Sequence, residues 1–220
     1  MSTAGALSRQ ALRTPRAAAI AGVLFALSLG ASLVLFRLAI PTTGTEALAF
    51  LANPATRRWF FAALYLVPFS GIAFLWFMGV VRDRMGALED RFFASVFLGS
   101  GLLFLALLFM AAAIASGLVA TIPAESSSQP VSDTWKLSRN LIYSLVSVYA
   151  MRMAAVFIIS TSTIALRIAI LPRWLGFLGY ACALVLLVTA GSFPWVELLF
   201  PFWVLLVSVF ILVASWHAKS

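Results

Sequence analysis

Apolar residues in this chain fall in long unbroken runs, not in the alternating or one-faced spacing of a soluble fold. Six runs predict membrane-crossing helices, over 17–40, 59–81, 92–120, 141–170, 174–190 and 195–216. At a rise of 1.5 Å per residue, about 20 apolar residues cross a hydrocarbon layer about 30 Å thick. A membrane barrel would instead show segments of about ten residues with alternating polarity, and these runs are apolar on all sides. The predicted fold class is therefore all-α, a polytopic transmembrane bundle of about six helices.

The interruptions agree with those ends. Pro41-Thr42-Thr43-Gly44 stops the first helix, and Asn53-Pro54 leads into the second. A charged turn from Arg82-Asp83-Arg84 to Glu89-Asp90-Arg91 separates the second from the third. The stretch from Pro123 to Thr134, rich in serine and proline, is the one linker-like segment. Leu171-Pro172-Arg173 and Gly191-Ser192-Phe193-Pro194 divide the last three helices. The expected organisation is a basic arm over 1–16, one six-helix domain over 17–216 and a short tail over 217–220.

Composition excludes a soluble alternative. Of 220 residues, 63% are apolar and 10% charged, against roughly 45–50% and about 25% in soluble domains. The net charge of +8 would otherwise raise nucleic acid as a partner. Here the basic residues sit singly or in pairs at run ends, with no basic face interleaved with aromatics, which argues against nucleic acid. They are also unevenly divided. Arg9, Arg13, Arg16, Arg82, Arg84, Arg91, Arg167, Arg173 and Lys219 fall on one side, and Arg37, Arg57, Arg58, Lys136 and Arg139 on the other. Nine against five places both termini in the cytoplasm. Trp59, Trp135, Trp174, Trp195 and Trp216 fall at helix ends, where amphipathic rings favour the interface. The 24-residue first run exceeds the roughly 7–15 residues of a signal-peptide core, so the first helix is expected to be retained.

The chain is poor in reactive groups. His217 is the only histidine, Cys182 the only cysteine, and Lys136 and Lys219 the only lysines. Bis-histidine haem, a His-rich zinc site and a mid-membrane Schiff base therefore have no residues to build on. No phosphate-binding loop and no Gly-x-Ser-x-Gly elbow occurs. Neither a cofactor, a metal site nor a catalytic residue is expected.

Polar residues inside the apolar runs are the binding candidates. Arg152 lies about a dozen residues into the fourth run. There it costs roughly 2.5–3.5 kcal/mol at the helix centre unless it faces protein or water. Alternatively, the span begins after residue 152 and Arg152 snorkels to the interface. At about 100° per residue, Tyr149, Ser160, Thr163 and Arg167 fall within roughly 80° of Arg152 and make one polar stripe. That stripe is either the wall of a hydrophilic cavity or a set of hydroxyls bonded to their own helix carbonyls. Glu197 is the one carboxylate within an apolar run, and Arg37 lies at similar depth on the first helix. Glu197 pairs with Arg37 or with Arg152, or both ends reach the outer interface. The small residues of Gly99-Ser100-Gly101, the alanines at 111–113 and Gly176-x-x-Gly179 predict close helix packing.

The stretch Arg152-Met153-Ala154-Ala155-Val156-Phe157-Ile158-Ile159-Ser160-Thr161-Ser162-Thr163, followed by Leu171-Pro172-Arg173-Trp174-Leu175-Gly176-Phe177-Leu178-Gly179-Tyr180, resembles a domain-of-unknown-function group. That group consists of bacterial multi-pass membrane proteins of the actinobacterial type. The likeness is best over the last third of the chain and its motifs are of low specificity. It implies a bacterial inner (plasma) membrane and transfers no catalytic residue.

The function expected from all this is non-enzymatic: a subunit or accessory of a membrane complex, or a small binding module. A small-solute or lipid transporter with a cavity lined by helix four is the alternative. A lipid-modifying enzyme using Arg152 and Glu197 is the third. Expected partners are membrane lipids and another membrane protein or a second copy of the chain.

Overall fold

Backbone amides and carbonyls find no water to bond in a hydrocarbon layer, and a helix pairs them within its own segment. The structure, a computed structural model, describes residues 14–39, 53–85, 91–121, 129–167, 171–193 and 195–217. The basic arm up to residue 13, the stop at 41–44, the turn at 86–90, the linker at 122–128, Pro194 and the tail from 218 lie outside the described residues. The elements are α1 (Thr14–Ala39), α2 (Pro54–Met85), α3 (Arg91–Thr121), α4 (Gln129–Tyr143), a π-helical segment (Ser144–Ala150), α5 (Met151–Arg167), α6 (Arg173–Thr189), a 3₁₀ turn (Val196–Leu198) and α7 (Leu199–His217). The described residues contain no strand. Because α4, the π segment and α5 run on without a break, the bundle has six rods. Five carry stretches long and apolar enough to cross a membrane, and α6, with 17 residues, is apolar but shorter. This is a multi-pass helical membrane protein.

Local chemistry explains the helix starts. Asn53 Oδ1 accepts from the Ala55 and Thr56 amides at 3.0 and 3.4 Å, and Pro54 supplies a preset φ at the first helical position. Pro172 sits extended before α6, and its carbonyl accepts from the Leu175 amide at 3.0 Å. Gly191 turns the chain out of α6 at φ 83, a conformation open to glycine without steric cost.

The fourth rod differs from the sequence expectation: it begins at Gln129 rather than at 141. Asp133, Lys136 and Arg139 interrupt the apolar run there, but a helix packed on its neighbours along one side needs only one apolar stripe. Trp135 and Ile142 form that stripe, buried with Phe60, Ala115 and Leu118, while Lys136, Leu137 and Asn140 are exposed.

Neighbouring rods are antiparallel. Ser32 Oγ donates to the Ala63 carbonyl at 2.9 Å and Ser70 Oγ to Ser28 Oγ at 2.8 Å, so α2 descends as α1 rises. Gly22 abuts Ser208 while Arg37 meets Glu197, which sets α7 antiparallel to α1. The described ends at Thr14 and His217 therefore lie at the same end of the bundle.

Five helices meet in a cluster of phenylalanines. Phe25, Phe74, Phe104, Phe157 and Phe200, from α1, α2, α3, α5 and α7, are fully buried, with ring centroids 4.5–6.4 Å apart. Edge-to-face contacts of this kind are worth about 0.5–1.5 kcal/mol per pair beyond area burial.

The small-residue surfaces divide in two. A Cβ at Gly22, Gly101, Gly176 or Gly179 would overlap a neighbouring helix, whereas Gly99 and Gly117 face open space.

Candidate functional site

Between the phenylalanine core and the smaller cluster around Trp135, the helices do not close. Val67 and Leu108 belong to the first cluster and Ala111 and Ile142 to the second, and all four line a cavity of about 330 Å³. Its walls come from α1, α2, α3, α4, the π segment and the turn before α7.

The π segment brings a serine to the cavity's mouth. The Met151 amide donates to the Val146 carbonyl, five residues back, so the turn is wider than an α turn. Within it, buried Ser147 donates its hydroxyl to Glu197 Oε1 at 2.5 Å. Glu197 is only 8% exposed, and its other oxygen, Oε2, accepts from Arg37 Nη1 at 2.9 Å. A buried carboxylate demands such compensation. Three rods far apart in sequence are thereby tied at one point.

The approach to Glu197 is shaped by Trp195, the one described non-glycine residue with positive φ (φ 72, ψ −1). A left-handed tryptophan costs on the order of 1–3 kcal/mol and persists where surrounding contacts fix it. Here the Arg37 guanidinium lies over its ring, 5.2 Å from the centroid, a cation–π distance. The hairpin is pinned from the other side by Tyr143, whose hydroxyl donates to the Gly191 carbonyl at 2.9 Å.

Arg139 also lines the cavity. It forms no ion pair and no hydrogen bond with any described residue, in contrast to Arg37. Among the described residues, the cavity's lining thus carries two guanidiniums and one carboxylate. Arg37, Ser147 and Glu197 meet in its wall, and Arg139 and Tyr143 line it further toward the start of the fourth rod. Ser32 is the remaining polar lining residue, and its hydroxyl is taken by the Ala63 carbonyl.

Of the six residues singled out in the sequence, the structure brings Arg37 and Glu197 together and separates the other four from them. None of Arg152, Tyr149, Ser160 and Thr163 lines this cavity. Arg152 lies five residues past Ser147, about 7–8 Å along the rod, and its Nη1 points back to the Val148 carbonyl at 3.4 Å. Tyr149 is 58% exposed. Ser160 donates to its own helix at the Val156 carbonyl, and Thr163 bonds both the Ile159 carbonyl and the Tyr180 hydroxyl. Glu197 bonds to Arg37, not to Arg152.

Sequence reasoning passed over Ser147, Tyr143 and Arg139 as site residues. A signal was present for one of them: Arg139 and Ile142 follow Trp135 at the four- and seven-residue spacing of one helix face. The described residues hold no group of three or more His, Cys, Asp or Glu side chains that could bind a metal ion.

No protein family, curated protein or solved structure matches this chain.

Proposed function

We propose that this chain is a membrane-embedded binding protein, without catalysis of its own, that holds a small amphiphilic ligand in the cavity between α1, α2, α3 and the π segment. The observation that carries the proposal is the cavity's lining. Apolar side chains form most of its wall, and the Arg37–Glu197 pair lies in it at the end of the bundle opposite the termini. Ligand sites are commonly apolar pockets of about 300–1,000 Å³ with a few placed polar groups, and this cavity lies within that range. The location is a bacterial plasma membrane with both termini in the cytoplasm, supported by the basic-residue bias and by the resemblance of the 152–180 stretch. The end with the Arg37–Glu197 pair, opposite the termini, then faces outward.

Native mass spectrometry of the protein released in a mild detergent from its own membrane tests the proposal. Ala112 lines the cavity on α3, and Ala112→Trp would fill much of it. The expected result is a small-molecule adduct on the wild type that the folded variant lacks. A bare wild-type chain, or a stoichiometric protein partner in place of any small adduct, would turn the function toward an accessory subunit.

A further inference from the structure

We infer that the ligand is a single-chain amphiphile bearing one negative charge, its head paired with Arg139 and its chain laid along the apolar wall. This rests on the cavity being a ligand site and specifies what enters it.

Charge is the first ground. Glu197 meets Arg37 on one oxygen and Ser147 on the other, which leaves that carboxylate already neutralised and bonded on both sides. Arg139 is the lining cation with no described partner. Among the described residues, the lining therefore carries a surplus of one positive charge. Arg139 is half-buried, so its charge is only partly solvated, and a monoanion supplies the missing partner. A guanidinium also presents a fork of donors that matches a carboxylate or a phosphate in two parallel bonds. A cationic ligand would meet Arg139 with no free counter-ion.

Size is the second ground. At the ~30 Å³ that a water occupies in the liquid, about 330 Å³ holds roughly eleven non-hydrogen atoms. A carboxylate with a chain of about ten carbons fits that space, whereas a two-chain phospholipid would have to leave most of its atoms outside it. Leu33, Val67 and Leu108 offer that chain an apolar wall.

The probe for the test is 2-bromodecanoate, whose bromine sits beside the head and quenches nearby tryptophans, titrated into the protein in phosphatidylcholine nanodiscs. Trp195 lines the cavity, so the signal is the quenching present in the wild type and absent in Trp195→Phe. Saturable quenching by 2-bromodecanoate, with none by 2-bromodecanol, is the expected result. Arg139→Gln should weaken binding about tenfold, the scale of a lost hydrogen bond to a charged group, and Arg139→Lys, which keeps the charge but not the paired donors, should weaken it less. Equal saturation by the alcohol, or an unchanged Arg139→Gln, overturns the charge assignment and leaves the cavity reading intact. Competition by phosphatidylglycerol placed in the nanodisc assigns the site to a lipid head and overturns the free single-chain ligand. If no probe saturates but the native adduct disappears in Ala112→Trp, the ligand class is wrong and the site stands. If no probe saturates and no adduct exists, both fall.

Discussion

Gly179→Leu is expected to prevent assembly of the folded bundle, while Gly99→Leu leaves it folded. The two glycines look alike in sequence, each in an apolar run beside other small residues. Gly179 lies where α5, α6 and α7 meet. A Cβ there would overlap Ser162 Oγ and stand 2.9 Å from Trp203 Nε1. Ser162 can rotate away, since its hydroxyl has no bonding partner among the described residues, but the fully buried Trp203 ring cannot. Overpacking of this kind costs about 1–3 kcal/mol for modest additions, and a whole leucine at a three-helix junction exceeds that range. At Gly99 nothing lies within 4 Å of the added Cβ, and leucine favours the helix over glycine by somewhat less than the roughly 0.8–1 kcal/mol that separates alanine from glycine. Size-exclusion profiles and thermal melts in detergent read the contrast. Gly179→Ala gives a graded version, partly relieved by adding Ser162→Ala. A well-folded Gly179→Leu protein would mean that the α5–α6–α7 junction is not packed as described.

Arg37→Leu should destabilise the protein by about 2–3 kcal/mol, more than Glu197→Leu does. Removing one partner of a buried pair typically costs about 3–5 kcal/mol, and the partial exposure of Arg37, 30% of its side chain, reduces that. The asymmetry follows from reach. Without Arg37, Glu197 stays buried with only the Ser147 hydroxyl, whereas an Arg37 freed of Glu197 can extend its long stem toward water. The double variant Arg37→Leu/Glu197→Leu should recover most of the loss, because neither charge is then left unmatched. Melting in nanodiscs across the four proteins gives the coupling directly. If Glu197→Leu is the costlier single change, the carboxylate is not held as the bonds to Ser147 and Arg37 require.

These two sites also mark how far the chain could be read before its structure. The six rods were legible because run length is itself the physical constraint: a segment in hydrocarbon must be helical, apolar and about 20 residues long. The start of the fourth rod was not, since α4 lies where one apolar stripe suffices and Asp133, Lys136 and Arg139 conceal it from any count of consecutive apolar residues. No residue type announces the π segment. Its wider turn also spoils an azimuth drawn through Tyr149 at a constant angle per residue. The pairing of Glu197 with Arg37 was one of the partnerships open from matching depth at run ends. Arg152 drew notice as a lone charge, but a lone charge within a rod can be met by its own helix carbonyl, here that of Val148. Ser147 was illegible for a different reason. Serine in a membrane helix ordinarily bonds its own backbone, as Ser100 does to the Val96 carbonyl, and only the tertiary approach of Glu197 redirects it. Likewise, Gly99 and Gly101 differ in consequence because α2 passes one and not the other: Met78 fills the space beside Gly101.

The central claim is that the cavity is a ligand site reached from the end of the bundle opposite the termini. The direct measurement is thiol labelling in sealed membranes of a protein carrying Ala112→Cys, with Cys182→Ala to remove the native thiol. A membrane-impermeant maleimide added from the side opposite the termini should label the cysteine, and decanoate should slow that labelling. Labelling only from the terminal side, or only after detergent has opened the membrane, would contradict the account.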